Sequence, residues 1–170
     1  STLINMLCGI IRSTSGKIFF RGKDVGVYPE LLDGQIGYCA AFDVLYDSFT
    51  VFEYLNFVAE MKSILNPTEH ILSLISTFNL LSCKDKKIES LSGGERRRVS
   101  VLMAVLGQPT IIFLDEPSSG IDPQNRRLMW EIIEGLRNED RAVILTTHHL
   151  EEAEILSEEY AHYLAFLFTR

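Results

Sequence analysis

Two neighbouring carboxylates, Asp115 and Glu116, follow directly on the apolar run Ile111-Ile112-Phe113-Leu114. A short apolar run of this kind reads as a buried strand, and in open α/β sheets ligands bind beyond the carboxyl ends of strands. Adjacent carboxylates repel each other unless a cation or a proton is shared between them. Mg²⁺ bound together with substrate phosphates resolves that conflict and needs few protein carboxylates. In this reading Asp115 holds the metal or its water, and Glu116 polarises an attacking water as general base. The plainer alternative is a strand that runs into a polar turn, with Pro117 as the breaker.

A second segment, ESLSGGERRRVS, offers a partner chemistry. Ser92 and Glu95 have the spacing of a capping box, with Ser as N-cap and Glu at N3. That pattern leaves Gly93 and Gly94 unexplained, since each glycine in a first helical turn costs roughly 0.5–1 kcal/mol against Ala. Their presence predicts that something approaches this backbone closely. Bare amides at a helix start suit an anion such as phosphate. Asp122 is placed to cap a helix starting at Pro123, and a further role is expected of it. His148 and His149 follow a second apolar run, so one of them should reach the same sheet edge as Asp115 and Glu116. Beside a phosphate site such a histidine could bind the γ-phosphate and orient the water; a lone strand-end histidine is otherwise structural. Neither histidine has metal-ligand spacing. Arg96, Arg97 and Arg98 alternate with Val99, Leu102 and Leu106, which predicts a mostly solvated arginine face.

The elements that must position these residues follow from periodicity. Leu3, Met6, Leu7 and Ile10 mark an opening helix to about residue 11, and residues 17–21 and 36–40 read as strands. Val51, Leu55, Val58, Met61 and Leu65 share a helical face. Asn66 as N-cap, Pro67 at N1 and Glu69 at N3 predict another helix, carrying Ile71, Leu74, Ile75 and Phe78. Helices over 93–106 and 123–136 alternate with the strands TIIFLD and AVILTTH. Continuous apolar strands are expected where helices cover both faces of a parallel sheet. The expected architecture is an α/β core over residues 1–49 and 91–157, interrupted by a helical insertion over 50–90. Residues 158–170 are expected to form a divergent C-terminal tail.

The 170 residues carry a net charge of −7, which argues against a nucleic-acid footprint. Cys8, Cys39 and Cys83 form no CxxC pair, which fits a reduced setting better than a disulfide framework. The start shows neither a basic n-region nor a small-residue cleavage site. The apolar stretch 163–168 is far shorter than the roughly 20 residues a bilayer requires.

Taken together, LSGGE (91–95), IIFLDEP (111–117), SSGIDP (118–123) and TTH (146–148) resemble the signature, Walker B, D-loop and H-loop of ABC ATPases. IGYCAAFDVLYDSFTVFEYL, LSGGERRRVS, DEPSSGIDPQNRR, Trp130 and TTHHLEEAE are similar to the A subfamily of ABC transporters, whose members move lipids. The resemblance implies a P-loop NTPase (RecA-like) parallel-sheet core with an inserted ABC α-helical subdomain. It also implies ATP and Mg²⁺ as ligands. Ser1-Thr2 resemble the last two residues of the family's GxxGxGKST loop. Ser1 would then be a Mg²⁺-ligating hydroxyl, and Thr2 would lie near the inner phosphates. The lysine and glycines of that loop would lie upstream, so the domain is expected to be truncated at both ends. The 170 residues alone are expected to show near-zero ATPase activity.

By the same resemblance two cassettes pair head to tail. Ser92, Gly93 and Gly94 would touch a γ-phosphate held by the partner cassette, Glu116 and His148 would be catalytic, Asp115 would serve Mg²⁺, and Asp122 would link the two sites. Transmembrane domains of the same transporter, a lipid or other hydrophobic substrate and a place at the cytoplasmic face of a membrane are implied as well. Ala40-Ala41 stand where the family usually has Pro-Gln, the Q-loop. Two alternatives stand beside this one: a soluble ABC ATPase without a membrane partner, and a non-catalytic cassette.

Overall fold

The computed structural model describes residues 1–137 and 141–156. The expected tail over 158–170 lies outside the described residues. Three parallel strands form the central sheet: β3 (Ile36–Cys39), β4 (Ile111–Asp115) and β5 (Ala142–Thr146), in the order β3-β4-β5. Register runs from Ile36 opposite Ile111 to Cys39 opposite Leu114, and from Ile111 opposite Ala142 to Asp115 opposite Thr146. The two carboxylates therefore leave the carboxyl end of the middle strand, level with the end of β5. Ile112 and Leu114 are wholly buried, which accounts for the unbroken apolar run.

The chain reaches that sheet through α1 (Thr2–Leu7) and a small antiparallel pair, β1 (Phe19–Phe20) and β2 (Lys23–Asp24). Arg21 and Gly22 both take positive φ in the two-residue turn between β1 and β2, the geometry that matches strand twist. The opening helix stops at Leu7 rather than near residue 11. Gly9 turns into the left-handed region (φ +72°), the Ile10 amide bonds back to the Asn5 carbonyl, and Ile10 is left exposed.

Two helices, α2 (Val51–Met61) and α3 (Thr68–Thr77), lie between β3 and the next sheet-covering helix. Ile71, Ile75 and Phe78 are wholly buried, as their spacing predicts. Two expectations are corrected. Leu65 lies beyond the end of α2 and is exposed, because the chain turns at Ser63 with positive φ. Asn66 is not the N-cap of α3. It sits at φ +49° and its side chain makes no cap hydrogen bond; Pro67 stands at the helix start, where its carbonyl accepts from the Ile71 amide at 2.8 Å.

The helix α4 (Gly93–Val105) packs against β3, and α5 (Pro123–Gly135) connects β4 to β5. A Cβ on Gly37 of β3 would overlap the Ala104 carbonyl of α4, so this strand glycine marks a close backbone approach. Lys62 donates through Nζ to the carbonyls of Met103 (3.3 Å) and Leu106 (2.8 Å), satisfying the end of α4. Last comes α6 (Leu150–Leu156), held to α5 by the Trp130 indole N–H donating to Glu152 Oε1 at 2.8 Å.

Candidate functional site

Asp115 closes β4 and is 2% exposed. The Thr146 hydroxyl of β5 donates to its Oδ1 at 2.6 Å. Burial pushes this carboxyl up, while the Thr146 hydroxyl that donates to it favours the ionised form. An ionised carboxylate and a hydroxyl thus sit side by side, a hard oxygen donor set that fits Mg²⁺ completed by phosphate oxygens. Thr2 begins α1 and is exposed.

Glu116 takes a left-handed backbone (φ +52°), costly for a residue with a Cβ. Its amide donates to the Thr146 carbonyl at 3.0 Å, extending the β4–β5 ladder by one residue. The turn aims its carboxylate at the segment after β5, where His148 Nδ1 lies 2.6 Å from Glu116 Oε2. His148 is itself exposed, and its ring packs on that of His149 with centroids 4.1 Å apart. Asp115, Glu116 and His148 are therefore brought to one edge. A partly buried carboxylate held by an imidazole is suited to take a proton from water.

The start of α4 is a second locus. Ser92 Oγ accepts from the Glu95 amide at 3.3 Å, and the Ser92 amide donates to Glu95 Oε2 at 2.8 Å, a complete capping box. The two glycines differ in their surroundings. A Cβ on Gly93 would meet nothing within 4 Å, whereas one on Gly94 would come 2.6 Å from Asn125 Cγ. The close approach expected at Gly94 is thus made within the chain, by Asn125. That residue accepts from Arg98 Nη1 at 2.5 Å and donates through Nδ2 to Asp122 Oδ2 at 2.6 Å. Asp122 Oδ1 caps α5 by accepting from the Gln124 and Asn125 amides, both at 3.1 Å. The Asn125 side chain and these amides hold the Asp122 carboxyl below its usual range. The signal for Asn125 in the sequence is its place at N3 of a helix capped by Asp122.

The solvated arginine face is corrected. Arg96 reaches Asp47 at 2.7 Å, but Arg97 and Arg98 are only 3% and 6% exposed. Arg97 donates to the carbonyls of Ala40 (2.8 Å), Asp115 (2.9 Å), Glu116 (3.0 Å) and Pro117 (2.9 Å), and to Asp43 Oδ1 (3.1 Å). Helical periodicity locates an apolar face; it does not say which polar side chain finds buried acceptors.

A family model described as ABC transporter matches residues 1–119, and an AAA-domain model matches residues 85–154. The chain is 34% identical over 162 residues to ABC transporter A family member 8 of Arabidopsis thaliana, covering 93% of this chain and 18% of that protein. It is 33% identical over 163 residues to phospholipid-transporting ATPase ABCA3 of Rattus norvegicus, covering 95% and 10%. It is 34% identical over 165 residues to cholesterol transporter ABCA5 of Homo sapiens, covering 95% and 10%. The chain therefore spans less than a fifth of the length of each of these relatives. A solved ATP-binding subunit of an ABC transporter superposes with a TM-score of 0.74 at 27% identity, over 90% of this chain and 65% of that one. The chain belongs to the ABC transporter family, and its α/β fold is that of the family's ATP-binding domain.

Proposed function

We propose that this domain hydrolyses ATP to drive a membrane transporter that moves lipids. The observation that carries the reading is the contact of Glu116 with His148 beside buried Asp115, at the end of the middle strand. Glu116 accepts the proton of the attacking water, and His148 orients the carboxylate and the water toward the γ-phosphate. The Ser1 hydroxyl and Asp115 would hold Mg²⁺, which when bound neutralises charge on the phosphate oxygens. Thr2, next to Ser1, lies near the inner phosphates.

Two cassettes pair head to tail in this reading. Ser92, Gly93 and Gly94 face the γ-phosphate held by the partner cassette, and Asp122 reaches across the interface. The open space over Gly93 supports this, since nothing among the described residues comes within 4 Å of it. Among the described residues no helix is long and apolar enough to cross a membrane. Transmembrane domains of the same transporter are partners in this reading, with the domain at the cytoplasmic face. The relatives named as transporters of phospholipid and cholesterol support a lipid cargo.

In the full-length protein, Glu116→Gln is expected to lower ATP turnover by about 10²–10⁴-fold while ATP-stabilised pairing of cassettes persists. Steady-state ATPase assays and chromatography with ATP measure the two. Normal hydrolysis by that variant would remove Glu116 from the role of base.

A further inference from the structure

We propose that Arg97 is a positioning residue for Glu116, a rigid side chain that ties the start of α4 to the turn carrying the base; the inference rests on the function proposed above. Its guanidinium binds three successive carbonyls, those of Asp115, Glu116 and Pro117, from one fork. These groups lie where β4 ends and the left-handed Glu116 turns the chain away, so the sheet ladder no longer serves them. Ser119 supplies one further donor, its amide to the Glu116 carbonyl at 3.1 Å. Buried carbonyls without donors are unfavourable, and a strained backbone persists only where its surroundings hold it.

The rest of the fork faces the end of β3. Nη1 donates to the Ala40 carbonyl and to Asp43 Oδ1, and Asp43 Oδ1 also accepts from the Ser100 hydroxyl at 2.8 Å. Most of the arginine's donors are thus spent on backbone carbonyls. A simple ion pair would need none of them, and a lysine could not span them. Arg97 lies one helical turn beyond Gly93. A displacement of the α4 start, where the partner's nucleotide would sit, is carried through one side chain to the base serving this chain's own nucleotide.

The test uses Arg97→Lys, Asp43→Asn and Arg97→Lys combined with Glu116→Gln in the full-length protein, with kcat and KM for ATP measured on each. Arg97→Lys keeps a positive charge opposite Asp43 and loses the fork. Its kcat is expected to fall by roughly 10–100-fold with KM within about threefold of the parent. Asp43→Asn, which retains an acceptor for the fork, is expected to stay within about threefold in kcat. In the Glu116→Gln background Arg97→Lys should lower the residual rate no further, because the group it positions is already gone. Unchanged kcat in Arg97→Lys, a loss borne by KM alone, equal damage from Asp43→Asn, or full additivity with Glu116→Gln would each overturn the proposal. Should Arg97→Lys lose its cooperative melt, Arg97→Gln, with two amide donors and no buried charge, is judged by the same criteria. Normal hydrolysis by Glu116→Gln alone would instead remove the underlying function, a separate outcome.

Discussion

Gly93 and Gly94 are neighbours in α4 whose missing side chains answer to different demands. The Asn125 amide lies over Gly94, held there by Arg98 and Asp122. Gly94→Ala is therefore expected to push Asn125 out of its hydrogen bonds and lower stability by about 1–3 kcal/mol. Gly93→Ala meets no neighbour, and its helix propensity is better by up to about 1 kcal/mol, so stability should hold or rise. It should nevertheless weaken ATP-stabilised pairing, because a methyl group would stand where phosphate is proposed to approach. Thermal melts and pairing assays on both variants separate these effects. Equal melting of Gly94→Ala and the parent would show that Asn125 can move freely.

At the scale of elements, the starts of α2, α4 and α5 are built on titratable groups. α2 has its own capping box, Thr50 with Glu53, matching Ser92 with Glu95 on α4. Hydrogen bonds from Thr50 hold the Glu53 carboxyl below its ordinary range. For Glu95, burial pushes upward, but the bonds from Ser92 prevail and the net direction is down. A carboxyl lowered in the folded state contributes stability above its unfolded pKa, about 4.3 for Glu. That contribution is lost as pH falls through the lower folded value. The Thr50 and Ser92 amides should accordingly lose hydrogen-exchange protection at the acid end, while Glu95→Gln, an acceptor that does not titrate, should flatten the response at Ser92 alone. An identical acid response in that variant would exclude Glu95 as the titrating group. The Ser-x-x-Glu spacing made the α4 box readable in advance, and the apolar runs did the same for β4 and β5. What could not be read was the destination of polar side chains. Arg97 reaches acceptors as distant in sequence as Ala40 and Pro117, and nothing in a local window reports such partners. The overlong first helix has a related cause: Ile10 keeps the period, but Gly9 reverses the backbone before it.

For the molecule as a whole, β4 lies between β3 and β5, and the candidate catalytic groups stand on its rim and on that of β5. Cys39 ends β3 at 2% exposure, and burial pushes its thiol up to about 11. Thiolate is the reactive form, so alkylation of Cys39 at pH 8 should require opening of the core. Its rate should rise with denaturant in step with global unfolding, as mass spectrometry of the labelled cysteine would record; rapid labelling of native protein would contradict the burial. The left-handed backbone at Glu116 has a wider consequence. Glycine would relieve that conformation and remove the proposed base in the same step. Heat tolerance and turnover therefore pull against each other at this position. A laboratory lineage screened only for survival at high temperature would drift toward sturdy but silent cassettes.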